Sequence, residues 1–294
     1  MFDIIKSIIF GIIEGITEWL PVSSTGHLII AQSFLKFGNN VSANFPEMYN
    51  YVIQLGATIA VIVLFWNKLW PFKMPQKNAP VFSVDTGIFK KEQWILWFKI
   101  LVAIIPSTLC FFIDDKVDAL MYNTDGSPNM TGVIVIALAL MVYGVLFILV
   151  EARNKNKTPV ITVTDQITYK TALLIGLFQM LAIIPGTSRS GATILGALII
   201  GLARPAAAEF SFFMSVPTMV GVSGLKIIKF LLESPFDAYE LLVLAIGFAV
   251  SFVVSFVCIK KLMAYVKRKN FTVFGYYRIA LGIVILAFFI LRRF

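Results

Sequence analysis

The chain has 294 residues, of which 59% are hydrophobic and only 14% charged, where a soluble domain carries about a quarter charged residues; its mean hydropathy is +0.86. These values exclude an ordinary soluble domain and indicate a polytopic membrane protein. The net charge of +9 would suit nucleic acid, but the basic residues are confined to short segments between apolar stretches, as positive-inside topology requires, so nucleic acid is not expected as a partner.

The chain opens with an apolar stretch, 1–35, broken in its middle by the polar loop PVSSTGH at 21–27. It lacks a basic leader of substance, and Glu14 and Glu18 fall where a cleavable signal would be most apolar, so it is expected in the mature protein. Three apolar segments of membrane-spanning length follow, at 47–66, 94–113 and 131–150. A second broken stretch, 166–203, carries the loop PGTSRSG at 185–191, and three more spans follow at 206–230, 240–260 and 273–291. None shows the alternating pattern of an outer-membrane barrel. Cys110 and Cys258 lie inside spans, far apart, and make neither a disulfide framework nor a zinc site.

Loop charge sets the expected orientation. Lys68, Lys73, Lys77, Lys90 and Lys91 follow the first span, Arg153, Lys155 and Lys157 the third, and Lys260, Lys261, Lys267, Arg268 and Lys269 the fifth. Those segments are expected in the cytoplasm. The alternate segments are acidic, with Asp114, Asp115, Asp118 and Asp125 against Lys116 in one and Glu233, Asp237 and Glu240 in the other. They are expected outside, although Lys226, Lys229, Arg292 and Arg293 reduce the asymmetry.

Each broken stretch reads best as a re-entrant hairpin, because non-helical backbone at membrane depth is tolerated only where protein or water surrounds it. The two also resemble each other. Gly11, Glu14, Pro21, Ser23 and Ser24 run parallel to Gly176, Gln179, Pro185, Thr187 and Ser188 with one residue of slip. Three spans follow each hairpin, and an odd number inverts the second copy. The expected architecture is therefore one all-α membrane domain, 1–294, of six spanning helices and two re-entrant hairpins in an inverted repeat, 1–150 and 166–294. The first hairpin enters from outside, the second from inside, and their polar loops meet near the midplane.

Glu14 and Glu18 share one helix face four residues apart. In a low-dielectric site such a pair takes up a proton or shares a cation, and Mg2+ or Ca2+ suits the oxygen donors; the alternative is a pair facing water at the lip of the helix. Ser23, Ser24 and Thr25 with His27, the one histidine of the chain, supply hydroxyls beside an imidazole, the material of an activated nucleophile. Equally, hydroxyls can cap the helix that restarts near residue 27, and a lone histidine can be structural. In PGTSRSGAT, Arg189 stands among Gly186, Thr187, Ser188, Ser190 and Thr193 just before a helix. Free N–H groups, hydroxyls and a forked guanidinium make a phosphate cradle. Pairing of Arg189 with Glu14 or Glu18 is the other reading, and the two are compatible. Gln54, Gln179, Glu209 and Ser215 are lesser candidates for the cavity, Arg204 is expected as a helix-end cation, and Arg278 as a snorkelling one.

The motifs EGITEWLPVSSTGH, from Glu14 to His27, and PGTSRSGAT, from Pro185 to Thr193, resemble the two signature motifs of the undecaprenyl-diphosphate phosphatase family, integral-membrane enzymes associated with bacitracin resistance. The resemblance extends over essentially the whole chain. It implies hydrolysis of a polyprenyl diphosphate lipid to its monophosphate and inorganic phosphate in the bacterial cell membrane, recycling the carrier of peptidoglycan synthesis. It places Glu14 and Glu18 on the acidic pair, Ser24 and His27 on the nucleophile and its partner, and Ser188, Arg189 and Thr193 on the phosphate-binding loop. His27 or a metal-activated water stays open as the attacking group. The site is expected to open to the outer face, and a homodimer stays open as the assembly. The rival class is an inverted-repeat transporter or lipid flippase with the same midplane site, but a carrier needs no nucleophile.

Overall fold

The computed structural model describes residues 2–38, 40–42, 44–72, 90–123, 127–233 and 237–291. Lys73, Lys77, Asp125, Arg292 and Arg293, which entered the charge pattern, lie outside the described residues. The elements in chain order are α1 (Phe2–Thr17), α2 (Ser24–Phe34), α3 (Phe45–Leu64), α4 (Trp66–Leu69), α5 (Lys91–Met121), α6 (Met130–Asn154), α7 (Tyr169–Met180), α8 (Arg189–Ile200), α9 (Arg204–Glu233), α10 (Ala238–Val266) and α11 (Thr272–Leu291). Six of them, α3, α5, α6, α9, α10 and α11, contain segments long and apolar enough to cross a membrane. They coincide with the six spans expected from hydropathy. The two broken stretches fold as pairs of shorter helices, α1 with α2 and α7 with α8.

Capping fixes several of the helix starts. Asn129, Thr168 and Asp237 accept from the amides of Gly132, Thr171 and Glu240 at the starts of α6, α7 and α10, satisfying N–H groups that have no intrahelical partner. Between helices, small residues allow the close approach on which packing depends when lipid and side chain are equally apolar. Gly144 on α6 and Gly275 on α11 face each other so closely that a methyl on either would meet the other's carbonyl oxygen. In the same way Gly11 and Gly15 seat α1 against the Gly247 and Ser251 carbonyls of α10, and Gly176 seats α7 against the Ala103 carbonyl of α5. Outward positions stay apolar, as Leu138, Val142 and Leu149 do along α6, which suits a surface in contact with lipid chains.

Hydrogen bonds tie the helix pairs to particular ends of α10. Near its start, Tyr239 donates to Asp3, whose other carboxylate oxygen accepts from the Gly38 amide, and Glu240 accepts from the Ser42 amide. Beyond its far end the Phe271 amide donates to Glu151, which also holds Arg204. There the backbone of Val160 and Ile161 pairs with that of Gly201 and Ala203. At about 1.5 Å per residue the 29 residues of α10 separate these two ends by about 40 Å.

Candidate active site

Pro21 and Pro185 lack the amide that would continue a helix, and in each case the chain restarts on a serine. Ser23 and Ser188 have φ of 74° and 69°, a positive φ that residues other than glycine rarely adopt. Ser23 caps α2 by accepting from the Gly26 amide at 3.4 Å, and Ser188 caps α8 by accepting from the Gly191 amide at 3.2 Å. Thus α2 begins at Ser24, earlier than the expected restart near residue 27. The caps also remove the slip in the internal alignment. Ser23 stands to Ser188 at the same separation as Gly11 to Gly176 and Glu14 to Gln179, since the cap, not the proline, sets where a helix begins.

The two loops touch. Ser190 donates to the Glu18 carbonyl at 3.1 Å, and Arg189 Nη2 donates to Glu18 Oε1 at 3.1 Å. The other oxygen, Glu18 Oε2, accepts from Ser24 Oγ at 2.7 Å. Glu18 therefore joins the hydroxyl of one loop to the guanidinium of the other. Arg189 Nη1 donates to the Ser211 carbonyl at 3.1 Å, its guanidinium lies 6.0 Å from the Trp19 ring centroid, and its buried Nε has no partner. Glu14 is buried within electrostatic reach of Glu18 and Arg189, and its Oε1 has no hydrogen-bond partner.

Ser24 and His27, the expected nucleophile and its partner, do not bond to each other. His27 Nδ1 donates to the Ser23 carbonyl at 2.8 Å, which leaves Nε2 to accept from the Tyr277 hydroxyl at 2.7 Å. Three residues apart on α2, the hydroxyl and the imidazole diverge, one toward Glu18 and the other toward α11.

The remaining candidates separate into two groups. Ser188 and Ser190 share a hydrogen bond at 3.1 Å, Thr187 Oγ1 is buried without a partner, Gly186 takes φ of 89°, and Thr25 is exposed. All lie in or beside the two loops. Thr193 instead spends its hydroxyl within the protein, on the Arg189 and Ser190 carbonyls and on Ser211 Oγ of α9. Ser215 bonds its own helix at the Phe212 carbonyl, and Glu209 binds Lys68 and Thr164 near the start of α9. Gln54 accepts from Ser223, while Gln179 donates to Ser107 of α5. Arg204 is held by Glu151, at 2.6 Å from Nη2 to Oε2, so this helix-end cation is paired.

Arg278 was the residue that sequence reasoning placed least well. It does not snorkel to an interface: the side chain is 0% exposed. Nη1 donates to the Pro21 carbonyl at 3.1 Å, and Nη2 to the carbonyls of Gly186 at 3.0 Å and Thr187 at 2.8 Å. The Tyr143 ring lies 5.4 Å from the guanidinium carbon. A span arginine within an otherwise apolar run was the available signal, since such residues face the protein interior by default. Two carboxylates and two guanidiniums thus surround the junction of the loops, with one serine hydroxyl already bonded to a carboxylate. That set can bind a polyanion and deprotonate an attacking hydroxyl.

Residues 7–284 match the family model described as bacitracin resistance protein BacA. The chain is 50% identical over 285 residues to an undecaprenyl-diphosphatase of Enterococcus faecalis, covering 97% of this chain and 96% of that protein. It is 49% identical over 294 residues to an undecaprenyl-diphosphatase of Acetivibrio thermocellus, covering both chains completely, at 100% each. A third relative of the same name, from Lachnoclostridium phytofermentans, is 48% identical over 291 residues, 99% of this chain and 98% of its own.

Proposed function

The chain belongs to the bacitracin resistance protein BacA family, and from that premise we propose that the junction of its two loops is where the enzyme hydrolyses undecaprenyl diphosphate. The products are undecaprenyl phosphate and inorganic phosphate. The protein is a multi-pass membrane hydrolase, and the family ties its activity to bacitracin resistance.

The observation that carries the site is the bond from Ser24 Oγ to Glu18 Oε2 at 2.7 Å. In the proposed step Ser24 Oγ attacks the terminal phosphorus, its proton passes to Glu18, and the bond to the bridging oxygen breaks to release undecaprenyl phosphate. Water then cleaves the phosphoserine, giving inorganic phosphate and restoring the hydroxyl. Arg189 already points its guanidinium at the junction and has an unsatisfied Nε, so a phosphate oxygen offers it a better partner than the Ser211 carbonyl. The loop around Thr187, Ser188 and Ser190 supplies further donors. Positioning and charge neutralisation of this kind provide most of the acceleration in phosphoryl transfer. With Glu18 facing Ser24, His27 is not needed as the base: its two ring nitrogens are taken by the Ser23 carbonyl and the Tyr277 hydroxyl, so it positions the start of α2 against α11.

Divalent metal suits the donor set. Glu14 Oε1 is a buried acceptor without a partner, and magnesium is usually held by one or two carboxylates together with substrate phosphates. Glu14 and Glu18 would hold Mg2+ or Ca2+, which when bound offsets diphosphate charge. No group of three or more His, Cys, Asp or Glu side chains forms a cage among the described residues.

The re-entrant, inverted arrangement is part of the same proposal. Its support is that Asp3 and Gly38, flanking the α1–α2 pair, bond each other beside the start of α10, whereas Ile161 and Ala203, flanking α7–α8, pair beside its far end. The α1-on-α10 packing has its counterpart in α7-on-α5. The start of α1 and the stretch after α2 lie beside the acidic start of α10, so access is proposed from the outer face. The test is phosphate release from undecaprenyl diphosphate by purified protein with and without EDTA. Release that persists unchanged in Ser24→Ala sinks the assignment of the nucleophile.

A further inference from the structure

Away from the junction, near the start of α9 and the far end of α10, a cavity of about 400 Å³ opens between α3, α9 and α10. Its α10 wall carries Ile259, Lys260 and Met263, and Lys267, one residue past the end of α10, continues the same face. The one carboxylate in the lining, Glu209, is already taken by Lys68 at 2.7 Å and by Thr164 at 2.9 Å. Lys260 lies over the Phe256 ring at 4.4 Å, and neither it nor Lys267 has a carboxylate partner among the described residues. Two cations without counter-ions among the described residues therefore border a cavity that is otherwise largely apolar, at the level where three spans end.

We propose that this cavity binds an anionic glycerophospholipid of the bilayer, its headgroup phosphate between Lys260 and Lys267 and its chains against Met263 and Ala264. The charge is complementary, and the volume lies within the range of about 300–1,000 Å³ usual for small-molecule sites. Basic pockets between spanning helices are where acidic headgroups are recognised. The occupant needs both a phosphate and adjoining hydrocarbon, which free phosphate lacks.

Purified full-length protein in neutral detergent is titrated with phosphatidylglycerol or phosphatidylcholine, and bound lipid is counted by native mass spectrometry while phosphate release is followed separately. One phosphatidylglycerol is expected to be retained saturably, with phosphatidylcholine binding far more weakly. Lys260→Gln with Lys267→Gln weakens that binding by roughly tenfold or more and leaves undecaprenyl diphosphate hydrolysis unchanged, while Lys36→Gln, beyond α2, alters neither. Lys260→Gln alone gives a partial loss if the double variant folds poorly. Equal retention of phosphatidylglycerol by wild type and the variants overturns the proposal, as does equal binding of the two lipids. Displacement by inorganic phosphate would reassign the site to a free anion, and one-for-one displacement by undecaprenyl phosphate would reassign it to the product.

Discussion

Arg278 donates to the Thr187 carbonyl at 2.8 Å, and through its other nitrogen it holds Pro21 in the opposite loop. One side chain on α11 thereby fixes the distance between the two halves of the site. Arg278→Met leaves at least two buried carbonyls without donors, at about 1–3 kcal/mol each. Thermal unfolding in detergent should show the loss as a clear fall in Tm, together with reduced turnover. An unaltered Tm would mean that the loops hold their spacing without it.

Glu18 and Ser24 act as a unit in the proposed step. Glu18→Gln and Ser24→Ala should each lower phosphate release by about a hundred- to ten-thousand-fold. The double variant should be little worse than the poorer single one, because both remove the same proton transfer. Multiplicative losses would place the two residues in separate steps.

Arg189→Lys keeps a charge but not a fork. A single ammonium cannot serve Glu18 and the phosphate as the guanidinium does, and turnover should fall about a hundredfold. Near-normal kcat and KM in this variant would remove Arg189 from phosphate binding.

Thr193→Val separates a packing hydroxyl from a ligand-binding one. Since the hydroxyl is spent on Ser211 and on the backbone of α8, the variant should lose about 1–3 kcal/mol of stability while KM stays within about threefold. A large rise in KM at unchanged Tm would place Thr193 in phosphate binding, as the resemblance implies.

Gly186 takes φ of 89°, and a methyl there would press on the Ile136 backbone. Gly186→Ala should destabilise the fold by about 1–3 kcal/mol from backbone strain alone. Refolded or detergent-extracted protein with wild-type Tm would show that the loop adapts.

The six spans were legible because hydrocarbon thickness demands a run of apolar residues of fixed length, a local property. The breaks were legible because proline and polar clusters interrupt those runs. The helix starts were legible only in part. Ser23 and Ser188 take the cap, but a sequence rich in hydroxyls offers neighbouring serines and threonines for the same role. At the junction, EGITEWLPVSSTGH named the residues without naming their partners. Ser24 sits near His27 in sequence, yet helical geometry turns it toward Glu18, which is on the other side of the break.

The sequence by itself determined the class of protein, the count of spans and the identity of the charged side chains near the two breaks, because each follows from composition over a short window. Tertiary structure alone decided which charge meets which group. Arg189 reaches Glu18 across 171 positions and Arg278 reaches Pro21 across 257. Contacts of that range depend on how α11 and the paired short helices pack, and no local pattern encodes them. Arg278 shows the physical reason most directly: an arginine in an apolar run must find acceptors within the protein, and only the packed helices reveal that those acceptors are the carbonyls of both loops.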